Sequence, residues 1–151
     1  MEQILYGAPV AKQLDEISLK IFQEVKSNNK TPHMTAITVG DNPASLLYVS
    51  RKKEKAEELG VEFNWIKLDK NTSQEKLKEL VETESKNTDG LIIQLPLPDH
   101  LSSEDVINCI PPDVDVDGLT SYNLGSLFSN EYKIIPATSL AVLELLNFYQ
   151  I

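Results

Sequence analysis

Apolar residues recur along this chain in two alternating rhythms, one typical of amphipathic helices and the other of buried strands. In the first helical segment, apolar side chains are three or four positions apart and form a stripe that we expect to face the core. They are Val10, Leu14, Ile17, Ile21 and Val25. The predicted elements, in chain order, are helix 9–27, strand 34–40, helix 43–59, strand 61–68, helix 73–85, strand 91–93, helix 102–110 and helix 140–148.

Helices and strands alternate up to residue 93, which favours an α/β fold. We predict a three-layer domain in which a short, mostly parallel sheet is flanked by helices. A chain of 151 residues with 41% hydrophobic and 25% charged residues has the size and composition of one globular domain. Ligands of such sheets bind beyond the carboxyl ends of the strands, where the turn at 40–43 and Gln94 both fall.

The charge and cysteine content narrow the class of protein. A net charge of −9 argues against nucleic-acid binding, which needs a basic surface. One basic segment, 51–55, is either a solvated helix face with internal ion pairs or a landing area for an anionic substrate tail. The single cysteine, Cys109, forms no internal disulfide, and residues 1–6 lack the pattern of a secretory leader. We therefore expect a cytoplasmic protein that does not contact a membrane.

Three side chains of the second helix, Ser45, Tyr48 and Lys52, occupy positions i, i+3 and i+7 and share one narrow stripe. They border the apolar stripe of the same helix, so we place them at the rim of the core. There a lysine loses part of its hydration and a tyrosine offers a ring face for stacking. Such groups suit proton transfer on a flat, nitrogen-rich substrate. Taken singly, Lys52 also fits a solvent-facing helix lysine and Tyr48 a packing residue.

Polar groups also follow the third strand. The amide of Gln94 can hold the lysine, contact a substrate or tie down the turn before the prolines. Asp113, Asp115 and Asp117 alternate with valines, and an extended backbone would put their carboxylates on one side. A hard cation is one candidate ligand, although the calcium-loop pattern is missing. We favour a single aspartate that reads the N–H groups of a heterocycle.

Several other signals are missing from the sequence. The glycines never approach G-x-G-x-x-G or a P-loop, so we expect no cofactor-binding site within this chain. His33 and His100 are far apart along the chain and lack matched partners, and Cys109 reads as a buried thiol. We therefore predict neither histidine-based catalysis nor a metal site.

Four segments of the chain form a set: 39–45 (V-G-D-N-P-A-S), 48–52 (Y-V-S-R-K), 89–98 (D-G-L-I-I-Q-L-P-L-P) and 115–118 (D-V-D-G, followed by Asn123). Together they resemble the methylenetetrahydrofolate dehydrogenase/cyclohydrolase family, also called the FolD family, whose patterns include Y-V-x-x-K and D-G-I-L-V-Q-L-P-L-P. The similarity covers nearly the whole chain, in order. It implies the fold of an amino-terminal domain of the amino-acid-dehydrogenase-like type.

The resemblance also implies roles for individual residues. It implies that Lys52 is the active-site lysine and that the Tyr48 ring stacks on the substrate. It also implies that Gln94 orients the lysine and that Asp117 recognises the pterin. The implied substrate contacts are Ser45, Tyr48, Val49, Leu95, Pro96 and Asp117. Family members oxidise 5,10-methylenetetrahydrofolate with NADP or NAD and hydrolyse the methenyl product to 10-formyltetrahydrofolate. These are reactions of one-carbon metabolism that supply purine biosynthesis.

Family enzymes are about twice as long as this chain, and their second half is a Rossmann domain. The resemblance therefore implies that 1–151 is the folate-binding catalytic domain and that the dinucleotide-binding domain follows residue 151. NADP or NAD would bind the complete protein, a homodimer, and not this chain alone. The last helix would then expose apolar surface that a neighbour normally covers.

The chain also departs from the family pattern. Where the family commonly reads P-C-T-P, this chain has Ala137 and Ser139 in place of the cysteine and the second proline. Ser126 replaces an arginine, Val114 a lysine, and Glu54 a second helix lysine. These departures leave two alternatives open. One is a natural single-domain module that binds folate or a partner without dehydrogenase chemistry. The other is the amino-terminal half of a related two-domain dehydrogenase with another substrate.

Overall fold

A computed structural model describes residues 4–151 of the chain. No secretory leader is expected in residues 1–6, and residues 1–3 of that segment lie outside the described residues. The regular elements are α1 (Gly7–Ser27), β1 (His33–Val39), α2 (Pro43–Glu58), β2 (Glu62–Leu68), α3 (Gln74–Glu84), β3 (Gly90–Ile93), α4 (Ser103–Ile107), α5 (Ser121–Ser129) and α6 (Ala137–Phe148). No helix within 4–151 has both the length and the apolar character that a bilayer crossing requires.

The strands form a parallel sheet in the order β2-β1-β3, which confirms the predicted α/β architecture. The central strand is buried on both faces. On one face Ile37 packs with Leu77 and Val81 of α3. On the other face Ala36 packs with Val49 of α2 and Ile92 of β3. Val49 therefore both fills the core on this face of the sheet and fixes α2 to the sheet.

The start of α2 follows directly from its sequence. The Asn42 side chain accepts hydrogen bonds from the backbone N–H groups of Ala44 and Ser45, at 3.0 and 3.1 Å. Pro43 occupies the first helical position, where its missing N–H costs nothing and its ring presets the backbone. Because this cap follows the end of β1, α2 begins at the carboxyl edge of the sheet and returns across its face.

The expectation for the apolar stripe of α1 is wrong at three of its positions. Val10 is buried, but Leu14, Ile17 and Ile21 are 38%, 46% and 53% exposed. A neighbouring face of the helix, with Asp15, Ser18 and Phe22, is half-buried, and Asp15 forms an ion pair of 3.0 Å with Lys55 of α2. Periodicity identified a face suited to burial, but within the described residues little covers it.

The carboxyl-terminal helix α6 packs on α1 and contains no buried residue. Its exposed apolar side chains are Leu140, Val142, Leu143 and Phe148. This confirms the predicted exposed apolar surface near the last helix.

The helix α5 was not predicted. Thr120 caps it by accepting a hydrogen bond from the Asn123 backbone N–H at 3.2 Å. The element is short, contains Gly125, and follows a proline-rich segment, and all three features weaken a helical pattern in sequence.

Candidate active site

Lys52 and Asp117 form an ion pair at the edge of the core. The Lys52 Nζ lies 3.6 Å from the Asp117 carboxylate, with side chains 34% and 27% exposed. Lys52 lies between Val49 and Ala56, which are buried and hold this part of α2 on the sheet. The helix thus presents the amine at the rim of the core, as its spacing predicted. A pair as exposed as this contributes at most about 1 kcal/mol, so it does not by itself fix the aspartate in place.

A cavity of about 610 Å³ lies beside this pair, between α1, α2 and the start of β3. Its apolar lining includes Phe22, Met34 and Ile92, while Lys52 and Asp117 supply polar groups. Tyr48, one turn before Lys52, also lines it and is 58% exposed. An apolar cavity with a few convergent polar groups is the usual form of a small-molecule site.

The other predicted site residues gather at the carboxyl end of β3. The Ser45 Oγ donates a hydrogen bond to the Leu95 carbonyl oxygen at 3.3 Å, and the Gln94 Nε2 donates to the same oxygen at 2.9 Å. Within residues 4–151 the buried Gln94 Oε1 has no hydrogen-bond partner. Leu95 is half-buried and Pro96 is exposed. The Gln94 carbonyl oxygen is therefore a free hydrogen-bond acceptor beside the start of α2.

The structure places the predicted residues in two groups along α2 rather than at one point. Ser45 and Lys52 are separated by seven positions, which is about 10 Å along a helix axis. Tyr48 lies between them. In the part of the chain that the structure describes, no hydrogen bond joins Lys52 to Gln94. Val49, fully buried, anchors the helix between the two groups.

The expectation that three aspartates line one side of an extended segment is wrong. Residues 112–114 and 116–117 form turns on either side of Asp115, which forms a single parallel bridge with Leu91, and the three carboxylates lie in three environments. Asp113 is 83% exposed and lies 3.5 Å from Lys133, Asp115 is buried, and Asp117 faces Lys52. The bend is closed by a hydrogen bond from the Gly118 N–H to the Asp115 carbonyl at 3.1 Å, with Gly118 at φ +67°. Among residues 4–151, no three His, Cys, Asp or Glu side chains are grouped so as to hold a metal ion.

The basic segment of α2 is largely paired within the fold. Lys55 contacts Glu58 at 2.7 Å and Asp15 at 3.0 Å, and these hydrogen bonds raise the pKa of Lys55 above its usual value. Lys53 lies 3.7 Å from Glu57. These contacts favour a solvated face with internal ion pairs over a landing area for an anion.

The sequence of this chain is similar to those of known proteins. Residues 5–117 match the family described as tetrahydrofolate dehydrogenase/cyclohydrolase, catalytic domain. The chain belongs to this family. A relative from Bacillus pumilus, named bifunctional protein FolD, is 38% identical over 146 residues, covering 95% of this chain and 52% of the relative.

Solved structures of FolD proteins have the same fold as this chain. The bifunctional FolD enzyme from Campylobacter jejuni superposes with a TM-score of 0.95 at 33% identity, covering 99% of this chain and 54% of that one. The FolD enzyme of Trypanosoma brucei, solved with NADP cofactor and inhibitor, gives 0.91 at 28% identity, with coverages of 100% and 53%. The chain thus spans about half the length of the relatives it matches.

Within residues 4–151, the residues that depart from the FolD pattern do not line the cavity beside the Lys52–Asp117 pair. Val114 contributes through its backbone, since its carbonyl accepts a hydrogen bond from the Leu91 N–H at 2.7 Å. Glu54 accepts one from the Ser50 hydroxyl at 3.4 Å. Ser126, Ala137 and Ser139 lie on α5 and α6, beyond the last residue of the family match.

Proposed function

We propose that this chain is the folate-binding catalytic half of a bifunctional methylenetetrahydrofolate dehydrogenase and methenyltetrahydrofolate cyclohydrolase. The observation that carries the proposal is the Lys52–Asp117 pair, 3.6 Å apart beside an apolar cavity, in a member of this family. In this proposal Tyr48 stacks on the flat ring system of the substrate, and Asp117 accepts hydrogen bonds from its N–H groups. Ser45, Leu95 and Pro96 shape the region where α2 begins, and the buried Val49 holds the helix between this region and Lys52.

The hydrolytic step needs two proton movements. Water adds to the methenyl carbon and releases one proton to solvent. Its second proton moves to N5 as the carbon–N5 bond breaks, which leaves a formyl group on N10. Lys52 and Asp117 are a donor and an acceptor side by side, so they suit the relay of these protons. Gln94 has a free buried carbonyl oxygen, which suits it to hold the Lys52 amine once substrate draws the two groups together.

The dehydrogenase step needs a dinucleotide. The six glycines lie far apart along the chain, and nowhere in the sequence do they form a dinucleotide fingerprint. We assign that site to a Rossmann domain after Ile151. NADP is the proposed cofactor, since a structural relative was solved with it, and NAD is the alternative. The complete protein is proposed to be a cytoplasmic homodimer that supplies one-carbon units to purine biosynthesis and binds no nucleic acid.

A spectroscopic assay tests the proposal. The full-length gene product is mixed with 5,10-methenyltetrahydrofolate, and the loss of methenyl absorbance is compared with the spontaneous rate. We expect enzyme-dependent hydrolysis that is saturable in substrate. A rate no faster than the buffer control, from protein shown by circular dichroism to be folded, contradicts the proposed function.

A further inference from the structure

The turn that carries Asp117 is built around a second, buried carboxylate. Asp115 is 1% exposed, and its Oδ2 accepts hydrogen bonds from the Thr120 N–H at 2.8 Å and the Asn123 Nδ2 at 2.9 Å. Its Oδ1 accepts one from the Leu119 N–H at 3.2 Å. The Asn123 amide also donates to the Pro112 carbonyl at 3.0 Å, so it spans the turn.

These donors are neutral. Within residues 4–151 no lysine, arginine or histidine forms an ion pair with Asp115. A buried carboxylate without a cation is costly unless hydrogen bonds satisfy it, and three N–H groups converge here to do so. The arrangement therefore needs a carboxylate at this position, because an amide of the same size would turn an N–H group toward other N–H groups.

The same turn is attached to the sheet on its other side. The Leu91 N–H donates to the Val114 carbonyl at 2.7 Å, and Leu91 forms a parallel bridge with Asp115. Asp117 lies two residues beyond this attachment and one before Gly118, which has a positive φ. The backbone around Asp117 is thus held from β3 and from the start of α5, with Asp115 at the junction.

We propose that Asp115, together with Asn123, is a positioning residue for the reaction. By binding the start of α5 to the turn, it sets the distance between the Asp117 carboxylate and the Lys52 amine. The exposed ion pair is too weak to set that distance alone, so the buried hydrogen bonds supply the constraint. This inference rests on the proposed function, since it assigns Asp117 a place at the substrate.

The test compares Asp115→Asn with Asp113→Asn in the full-length protein. Asp113 is a matched control, because it lies in the same segment but is 83% exposed, and its ion pair is with the equally exposed Lys133. We expect kcat for methenyl hydrolysis, corrected for the folded fraction, to fall about tenfold to a hundredfold in Asp115→Asn, as for a misplaced catalytic group. Asp113→Asn keeps the wild-type value.

A double-mutant cycle with Asp117→Asn separates positioning from general damage. If Asp115 acts through Asp117, the Asp115→Asn/Asp117→Asn protein is no slower than Asp117→Asn alone. Losses that multiply, or an Asp115→Asn protein as fast as Asp113→Asn, overturn the inference while leaving the proposed function intact. An inactive wild-type protein instead refutes the proposed function.

A second variant covers the case in which Asp115→Asn does not fold. Asn123→Ala removes one donor and leaves Asp115 its two backbone N–H partners. We expect a smaller fall in kcat that again disappears in the Asp117→Asn background. A kcat unchanged by Asn123→Ala overturns the proposed part of Asn123.

Discussion

The close approach of Val116 to Gly90 allows a direct test of how the turn before Gly118 packs against the sheet. A Cβ added at Gly90 would lie 2.7 Å from the Val116 Cγ1, whereas carbon atoms in contact prefer about 3.5–4.0 Å. Gly90→Ala therefore forces the Val116 side chain, which is β-branched and 38% exposed, to rotate or to move by about 1 Å. Overpacking of this kind costs about 1–3 kcal/mol, partly offset by about 0.4–1 kcal/mol from the stiffer unfolded chain. We expect a net loss of about 1–2 kcal/mol in the free energy of unfolding.

Urea unfolding followed by circular dichroism measures this loss, and the hydrolysis assay measures its effect on the site. Gly125→Ala is the matched control, since a Cβ on that α5 glycine meets no atom within 4 Å. In a helix this change stabilises by about 1 kcal/mol or less. Val116→Ala should relieve the clash in the double variant with Gly90→Ala. If Gly90→Ala matches wild type in both unfolding midpoint and rate, the reasoning about this contact is refuted.

Other measurements test the remaining features. Asn42→Ala removes the acceptor for two N–H groups at the start of α2 and should cost about 1–2 kcal/mol in urea unfolding, while an unchanged midpoint contradicts the capping role. Calorimetric titration of chain 1–151 with NADP should give only heats of dilution, and a clear isotherm would contradict the assignment of the cofactor site beyond Ile151. Exposed apolar side chains on α1 and α6 should make the isolated chain associate as its concentration rises in ultracentrifugation. A monomer at all concentrations counts against that expectation.

The sequence predicted those elements whose signals are local. The strand at 34–40 and the helix that begins at 43 depend on neighbouring residues, and the structure confirms both as β1 (His33–Val39) and α2 (Pro43–Glu58). The position of Lys52 at the rim of the core followed from helical spacing alone. These features need no knowledge of distant contacts.

The failures concern features that depend on distant parts of the chain. The predicted stripe on α1 is apolar, but the spacing of apolar residues does not say whether another element covers the stripe. The three aspartates alternate like a strand, yet tight turns and the hydrogen bonds from α5 bend the segment. The α5 helix itself was missed, and with it the donors that hold Asp115. The D-V-D-G segment followed by Asn123 is the sequence signal that could have indicated this contact.

The most direct test of the central claim compares Lys52→Ala with Lys53→Ala in hydrolysis of 5,10-methenyltetrahydrofolate by the full-length protein. Lys53 is a fair control, since it is the next residue on α2, is 43% exposed and pairs with Glu57. Loss of a proton-transfer group should slow kcat of the Lys52 variant by about 10²–10⁴-fold, with its circular dichroism unchanged. Lys53→Ala should turn over at the wild-type rate. Equal rates for the two variants would contradict the assignment of this chemistry to Lys52.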